Sequence, residues 1–246
     1  EAMLYLSKAS DRLGKVTDGN TVCDFDPEEI KRQASVSAAV APIEWKNRKI
    51  NLIDTPGLFD FEGGVCEGIR AADSVLITVS GKSGVAVGTE KVVKLANKAG
   101  LSKVFFVNGL CDESARFYRV FENLKASFGP SVCPVVVPFI VDGKANCYVN
   151  ILEYKAYSYE GGKVSEVPMP DMGTRLDGLR TAIYEAVAET SDEMFEKYFS
   201  GEDFTPEEII LGVSQGVKDG SISPVFCGDA QTTFGVDQLL NGLAWL

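Results

Sequence analysis

Residues 50–57 read Ile-Asn-Leu-Ile-Asp-Thr-Pro-Gly. Ile50 to Ile53 has the apolar character of a buried strand, and a polar turn begins directly at Asp54. An acid at the carboxyl end of a parallel strand points into the crevice where such sheets bind ligands. There Asp54 can hold a magnesium ion through water, Pro56 stiffens the turn, and Gly57 lets its backbone N–H approach a terminal phosphate. A plain strand-to-helix turn, its Asp and Gly only shaping the backbone, fits the same four residues.

Upstream of this stretch, Val36–Trp45 and Lys49–Ile53 predict a two-stranded ribbon turning near Asn47. Asp26-Pro27-Glu28-Glu29 has the capping acid, first-turn proline and acids of a helix start. Ala2, Leu6, Ala9 and Leu13 predict a helix stopped by Gly14, running from the first residue without a capping group. An uncapped start implies a chain that begins inside a larger protein. Downstream, a helix-like stretch to Ala72 precedes an apolar strand, Val75–Val79, and a loop, Gly81–Gly88. A helix, Thr89–Ala99, is closed by Gly100, and a second apolar strand follows, Lys103–Val107. Asp112 predicts the cap of a helix reaching Phe128, where Gly129-Pro130 stops it.

Apolar strands alternating with amphipathic helices give an α/β fold: a mostly parallel sheet with helices on both faces. The pattern changes after Pro134. Val135–Val137, Tyr148–Leu152, Tyr154–Tyr159 and Lys163–Val167 are short β-rich pieces, with Asp142-Gly143 and Gly161-Gly162 turn signals among them. One long helix is expected over Leu176–Tyr198, and Thr205-Pro206-Glu207-Glu208 opens another. Residues 131–222 therefore read as an inserted α+β subdomain, between a main domain of 1–130 and 223–246. Strand Pro224–Cys227 and helix Gly235–Trp245 return to the main sheet.

Composition narrows the chemistry. The 246 residues include 24 Lys and Arg against 35 Asp and Glu, a net charge of −11 that disfavours a broad nucleic-acid-binding face. Histidine is absent, which removes Ser-His-Asp and Cys-His catalysis and HExxH metal sites. Six cysteines lie scattered without a CxxC pair, as expected of reduced thiols in a cytosol. No apolar run is long enough to span a bilayer, and no secretory leader opens the sequence. The expected location is cytoplasmic.

Two further turns follow strands as Asp54 does. Asn108 closes Val104-Phe105-Phe106-Val107, and Gly228-Asp229-Ala230 follows Cys227. Three polar or glycine-containing turns on one sheet edge point to a composite pocket.

With these residues in place, the chain resembles the GTP-binding domain of bacterial elongation factor G, a translational GTPase. Val22–Phe61 is similar to that family's switch I, ribbon and DTPG loop. Phe105–Phe128 resembles its guanine-recognition loop and following helix. Tyr184–Tyr198 resembles a signature of its inserted subdomain, and Pro224–Ala230 its last guanine loop. The fold implied is a P-loop-type GTPase domain, beginning just after the Gly-rich phosphate loop and ending where the family continues into a β-barrel.

The resemblance implies GTP or GDP and Mg²⁺ as ligands. Metal binding falls to Ser35 and Asp54, the catalytic positions are Gly57 and Leu58, and nucleotide contacts fall to Asp54, Thr55, Pro56, Gly57, Leu58, Asn108, Gly109, Leu110, Cys111, Asp229 and Ala230. Ser35 stands for a threonine, and Gln33 for a glycine. Leu58 stands where the family has a water-orienting histidine. Losing such a group costs about 10²- to 10⁴-fold in rate, although leucine can also pack under a closed switch. Asn108-Gly109-Leu110-Cys111 replaces Asn-Lys-x-Asp. Charged hydrogen bonds contribute roughly 1.5–3 kcal/mol, so a thiol in place of the carboxylate weakens guanine preference. Asp112 either shifts into that role or caps the helix. Asp229 replaces a serine, and Ala230 keeps a backbone N–H for the base.

The implied function is coupling of GTP binding and hydrolysis to ribosomal translocation, with hydrolysis slowed. Ribosomal RNA and the stalk protein are the implied partners of a monomer, with no membrane or DNA partner. Two rival readings remain: a pseudo-GTPase that docks on ribosomes without nucleotide turnover, and another phosphate-handling α/β enzyme.

Overall fold

The computed structural model describes residues 1–141, 143–160 and 163–246. Asp142, Gly161 and Gly162, part of the two expected turns, lie outside the described residues. The first helix, α1 (Ala2–Leu6), is shorter than its apolar spacing predicts. Lys8 adopts a left-handed φ of 61°, and the Ser10 N–H turns back to the Leu4 carbonyl, so the chain leaves the helix long before Gly14. Helix α2 (Pro27–Arg32) starts as predicted, with Pro27 in its first turn and a reciprocal capping box between Asp26 and Glu29.

Strands β1 (Ala39–Trp45) and β2 (Arg48–Asp54) pair antiparallel from Ala39 opposite Asp54 to Trp45 opposite Arg48. Lys46 and Asn47 both take positive φ, as a two-residue hairpin turn requires. The ribbon stands as its own two-stranded sheet, so β2 is not the fully buried strand its apolar residues suggest. Only one of its edges is paired, Asn51 is exposed, and Ile50, Leu52 and Ile53 are half-buried. Ala41 and Ile43 pack with Leu4 and Leu240. The Trp45 indole N–H donates to Asn241 Oδ1 at 3.0 Å, tying the ribbon to the C-terminal helix.

Next come α3 (Glu62–Ala71), β3 (Ser74–Ser80), α4 (Val87–Ala99), β4 (Ser102–Asn108) and α5 (Phe117–Phe128). Helix α5 begins four residues later than Asp112 predicts, with Arg116 at its cap position. Asp112 instead accepts the Ser114 N–H at 2.7 Å and closes a local turn. The chain continues through β5 (Val132–Pro134), β6 (Val136–Val141), β7 (Lys144–Asn150), β8 (Lys155–Glu160) and β9 (Lys163–Val167). Helices α6 (Thr174–Ala188) and α7 (Asp192–Ser200) replace the single helix expected over 176–198. Ser191 breaks it, because its hydroxyl accepts the Met194 N–H and starts a new helix. Helix α8 (Pro206–Asp219), β10 (Ser223–Cys227) and α9 (Val236–Trp245) complete the chain.

The main sheet is entirely parallel, in the order β3-β4-β10-β5, and helices flank it. At its centre Phe105, Val107, Val225 and Phe226 are closed to solvent. Strands β6–β9 form a separate antiparallel meander. The segment 131–222 nevertheless supplies β5 to the main sheet and packs α8 against β4 and β10. Its buried residues join the same continuous core, so the main domain takes in chain from both sides of the expected boundary at 131.

Helix α9 approaches β10 through Gly242, where a Cβ would run into the Phe226 ring. Gly242→Ala gains helix propensity of about 1 kcal/mol, but overpacking a closed core typically costs roughly 1–3 kcal/mol. The expected outcome is a lower thermal unfolding midpoint, measured by circular dichroism; an unchanged or raised midpoint contradicts this packing.

Candidate functional site

Parallel pairing sets Ser80 opposite Asn108 and Val107 opposite Cys227, so β3, β4 and β10 end at one rim. Asn108 organises the loops beyond. Its side-chain Oδ1 accepts the N–H of Gly109 at 2.8 Å and of Ala230 at 2.9 Å, and its carbonyl accepts the Gly81 N–H at 2.7 Å. The Leu110 N–H donates to the Gly228 carbonyl at 3.1 Å. Asn108, Cys111, Asp229 and Ala230 are therefore brought together as one interlocked pair of loops.

Asp229 is 5% exposed and carries the tightest set of contacts. Its Oδ1 accepts from the backbone N–H groups of Gln231 and Thr232, both at 3.0 Å, and from the Thr232 hydroxyl at 3.1 Å. Its Oδ2 accepts the Cys111 N–H at 3.2 Å. The Cys111 side chain is exposed, with its Sγ 3.5 Å from Thr232 Oγ1. Surrounding chain, then the Asp229 carboxylate, push this thiol up from its ordinary value, so it remains a protonated donor.

Three expectations change here. Leu110 is buried beneath the loop, where it blocks any side chain at Gly81, and it offers a ligand nothing but backbone. The Ala230 N–H, expected to be free for a base, donates to Asn108. Asp112 neither caps α5 nor shifts into the loop's acceptor position, since its carboxylate is engaged by Ser114. Gly109, at a left-handed φ of 79°, has open space where a side chain would stand.

The Asp54 end is a second cluster. The Thr55 methyl faces Gly68, and Pro56 is buried against Gly64, so both anchor the loop on α3. Gly57 meets open space, and Leu58 is 50% exposed with no polar group to offer. Asp54 is reachable by solvent yet stands within dense surrounding chain; this desolvation, then the Asp24 carboxylate, push its carboxyl up. The Cys23 thiol hydrogen-bonds to it and is itself pushed up to about 11 by burial and by Asp54. Ser35 donates its hydroxyl to Asp24 Oδ1 at 2.7 Å. Among the described residues, no hydrogen bond or ion pair joins this cluster to the Asn108 loops. Nor does any group of three or more His, Cys, Asp or Glu side chains converge as a ready metal cage.

Two residues outside the sequence expectations shape this end. Asp24 is the partner of Ser35. Glu29, 2% exposed, accepts the N–H groups of Val36 at 3.0 Å and Ser37 at 3.1 Å, besides that of Asp26. The capping pattern identifies Glu29 as a helix residue, but its reach to Val36 and Ser37 leaves no trace in spacing.

Comparison with known proteins bears on both clusters. The family model for the elongation factor Tu GTP binding domain matches residues 1–245. The chain belongs to that family. An elongation factor G-like protein of Thermotoga maritima is 36% identical over 98% of the chain, and elongation factor G of Granulibacter bethesdensis 31% identical over 99%. A crystal structure from Thermus thermophilus superposes over the whole chain at a TM-score of 0.93 with 32% identity. The chain spans 35% and 36% of those two relatives and 37% of that structure, about a third of each. It is the GTP-binding domain of an elongation factor G-like translation factor. Within the GTP binding domain family, the rim loops and the Asp54 loop fall in the parts of the fold that the sequence resemblance assigns to nucleotide. Among the described residues no helix is long and apolar enough to cross a membrane.

Glu29 yields a test. Burial alone would raise its carboxyl, but the N–H donors of Val36, Ser37 and Asp26 outweigh burial and hold it below its ordinary value of 4.5. A depressed carboxyl stabilises the fold above its unfolded value and loses that contribution as pH falls through the folded one. Residues 25–37 are therefore expected to lose hydrogen-exchange protection below about pH 4.5 while the main sheet keeps it. Glu29→Ala, which takes the acceptor from the amides of Asp26, Val36 and Ser37, brings the same loss at neutral pH. Equal protection in the two proteins contradicts the role given to Glu29.

Proposed function

We propose that the chain binds GTP with its base end on the main-sheet rim, at Asn108, Gly109, Cys111, Asp229 and Ala230, and its phosphate end at the loop that follows the β1–β2 ribbon, Asp54, Thr55, Pro56, Gly57 and Leu58. The hydrogen bond from the Ala230 N–H to Asn108 carries this reading. It locks the two loops that the resemblance assigns to the base into one preformed edge, which lowers the ordering cost of binding.

At the other end, the donors suit Mg²⁺. Ser35, Asp24 and Asp54 offer hard oxygens, and Mg²⁺ takes one or two carboxylates and completes its shell with water and phosphate oxygens. Asp54, pushed up by burial and by Asp24, is a carboxyl whose charged form a cation favours. A bound Mg²⁺ would neutralise charge on the phosphates. Asp54 would hold it, and Ser35 would exchange its bond to Asp24 for the metal, ordering residues 25–37 around the ligand. Gly57 would present its N–H to the terminal phosphate.

In the full-length protein, this domain would couple GTP binding to action on the ribosome, as the resemblance to elongation factor G implies. Ribosomal RNA and the stalk protein as partners, a monomeric state and a cytoplasmic location belong to the same proposal. Leu58 supports slow hydrolysis: half-exposed and apolar, it has no atom with which to orient an attacking water. The same observation favours a second reading, in which ribosome docking proceeds without turnover.

Single-turnover GTP hydrolysis by the full-length protein with ribosomes separates these. Leu58→His is expected to raise the rate by about 10²- to 10⁴-fold. Wild-type turnover that Leu58→His leaves unchanged contradicts the impairment assigned to Leu58. In parallel, Asp54→Asn is expected to abolish the Mg²⁺ dependence of GTP binding by the full-length protein, measured by titration calorimetry. Unchanged Mg²⁺ dependence removes Asp54 from the metal site.

A further inference from the structure

The base end lacks its expected carboxylate at position 111, yet a carboxylate lies within bonding distance of that position. The backbone N–H of Cys111 donates to Asp229 Oδ2 at 3.2 Å. The Cys111 side chain lies at the surface beside it, with the Thr232 hydroxyl 3.5 Å from the sulfur. A negative charge is thus held directly beside the site where the resemblance expects one, carried by the neighbouring loop.

The two oxygens of Asp229 are used unequally. Oδ1 takes three donors, the N–H groups of Gln231 and Thr232 and the Thr232 hydroxyl, and so fastens its own turn. Oδ2 takes one backbone donor, from Cys111. A carboxylate oxygen accepts two in-plane donors, so Oδ2 keeps one acceptor direction. A clamp for the 229–232 turn needs only Oδ1. The exposed thiol over the carboxylate is a weak donor, easily replaced by a stronger N–H.

We propose that Asp229 Oδ2 supplies the acceptor that reads the 2-amino group of guanine, with the Cys111 thiol swung aside when the base enters. This rests on the reading of the rim as a purine nucleotide site, and it makes Asp229 the specificity-determining residue. Guanine and hypoxanthine differ only in the 2-amino donor, so the contact discriminates between them. One charge-assisted hydrogen bond corresponds to about a ten- to hundredfold preference.

Binding of GTP, ITP, XTP and ATP to the full-length protein, by titration calorimetry, tests this. Wild type is expected to prefer GTP over ITP about ten- to hundredfold. Asp229→Asn is expected to erase that ratio and to improve XTP binding, because a carboxamide N–H can donate to the 2-oxo group of xanthine. A purely structural role for Asp229 does not produce a gain for xanthine. The double change Asp229→Ser with Cys111→Asp returns the carboxylate to position 111 and is expected to restore the GTP preference, which also covers an Asp229→Asn protein that fails to fold. Equal loss of GTP, ITP and XTP on Asp229→Asn, or an unchanged GTP/ITP ratio, overturns the proposal. Failure of the double change to favour GTP does so as well. Wild-type protein that binds purine triphosphates without distinguishing GTP from ITP overturns the Asp229 assignment alone; wild-type protein that binds none of the four overturns the nucleotide reading too.

Discussion

Parallel pairing of β3, β4 and β10 is the constraint on which the base end depends. Because these strands run in the same direction and in register, their carboxyl ends stop together, and the loops after Asn108 and Cys227 leave the sheet side by side. Only then can Asn108 Oδ1 accept the Ala230 N–H across 122 residues of sequence, and Asp229 accept the N–H of Cys111 across 118. The sheet supplies the rigidity. Its buried Phe105, Val107, Val225 and Phe226 leave the strands no freedom to shift, so the rim loops are fixed by bonds to each other and by the core beneath.

The Asp54 end is built differently. Its strand belongs to a two-stranded ribbon held to the rest of the molecule by Ala41 and Ile43 on Leu4 and Leu240, and by the Trp45–Asn241 hydrogen bond. A two-stranded ribbon is marginal by itself, so its position derives from packing against α1 and α9. The segment ahead of it is ordered by one buried carboxylate, Glu29, which satisfies amides at both ends of residues 26–37. One rigid end and one end held by a few polar contacts suit a site in which the base is read on a fixed edge while the phosphate side rearranges.

The legible parts of the sequence were those governed by local rules. Asp26-Pro27 and Thr205-Pro206 mark their helices because capping depends on neighbours three residues apart. The apolar run at 103–107 marks a central strand because burial on both faces removes alternation, whereas the equally apolar run at 75–79 forms the edge strand β3, with Thr78 exposed. Two helix boundaries differ from expectation because one local hydrogen bond competes with another. Asp112 has the chemistry of a helix cap but finds Ser114 first, and the 176–198 periodicity continues through a break that Ser191 alone decides. The Ile50–Ile53 run looks like a central strand, but burial also needs neighbours on both edges, which composition does not reveal. At the site, the types of residue were legible and their partners were not: nothing in the spacing sets Glu29 on Val36 or Asp229 on Cys111.

The departures from the family pattern sort by whether the fold itself uses the position. Gly109 meets open space, Leu58 is half-exposed, and the Cys111 thiol lies at the surface, so substitution there leaves packing untouched. Asn108 and Pro56, which agree with the pattern, have internal duties: one bonds two backbone amides, the other is buried against Gly64. Residues with two roles resist change even where ligand binding alone would tolerate it. Asp229 does not fit that division. It departs from the pattern although it is buried and bonded to four groups. A new buried charge is tolerated only with compensating donors, and here Gln231, Thr232 and Cys111 provide them. If Asp229 reads the base as proposed, the carboxylate that the resemblance expects at exposed position 111 is matched by one at buried position 229, held in place by backbone donors.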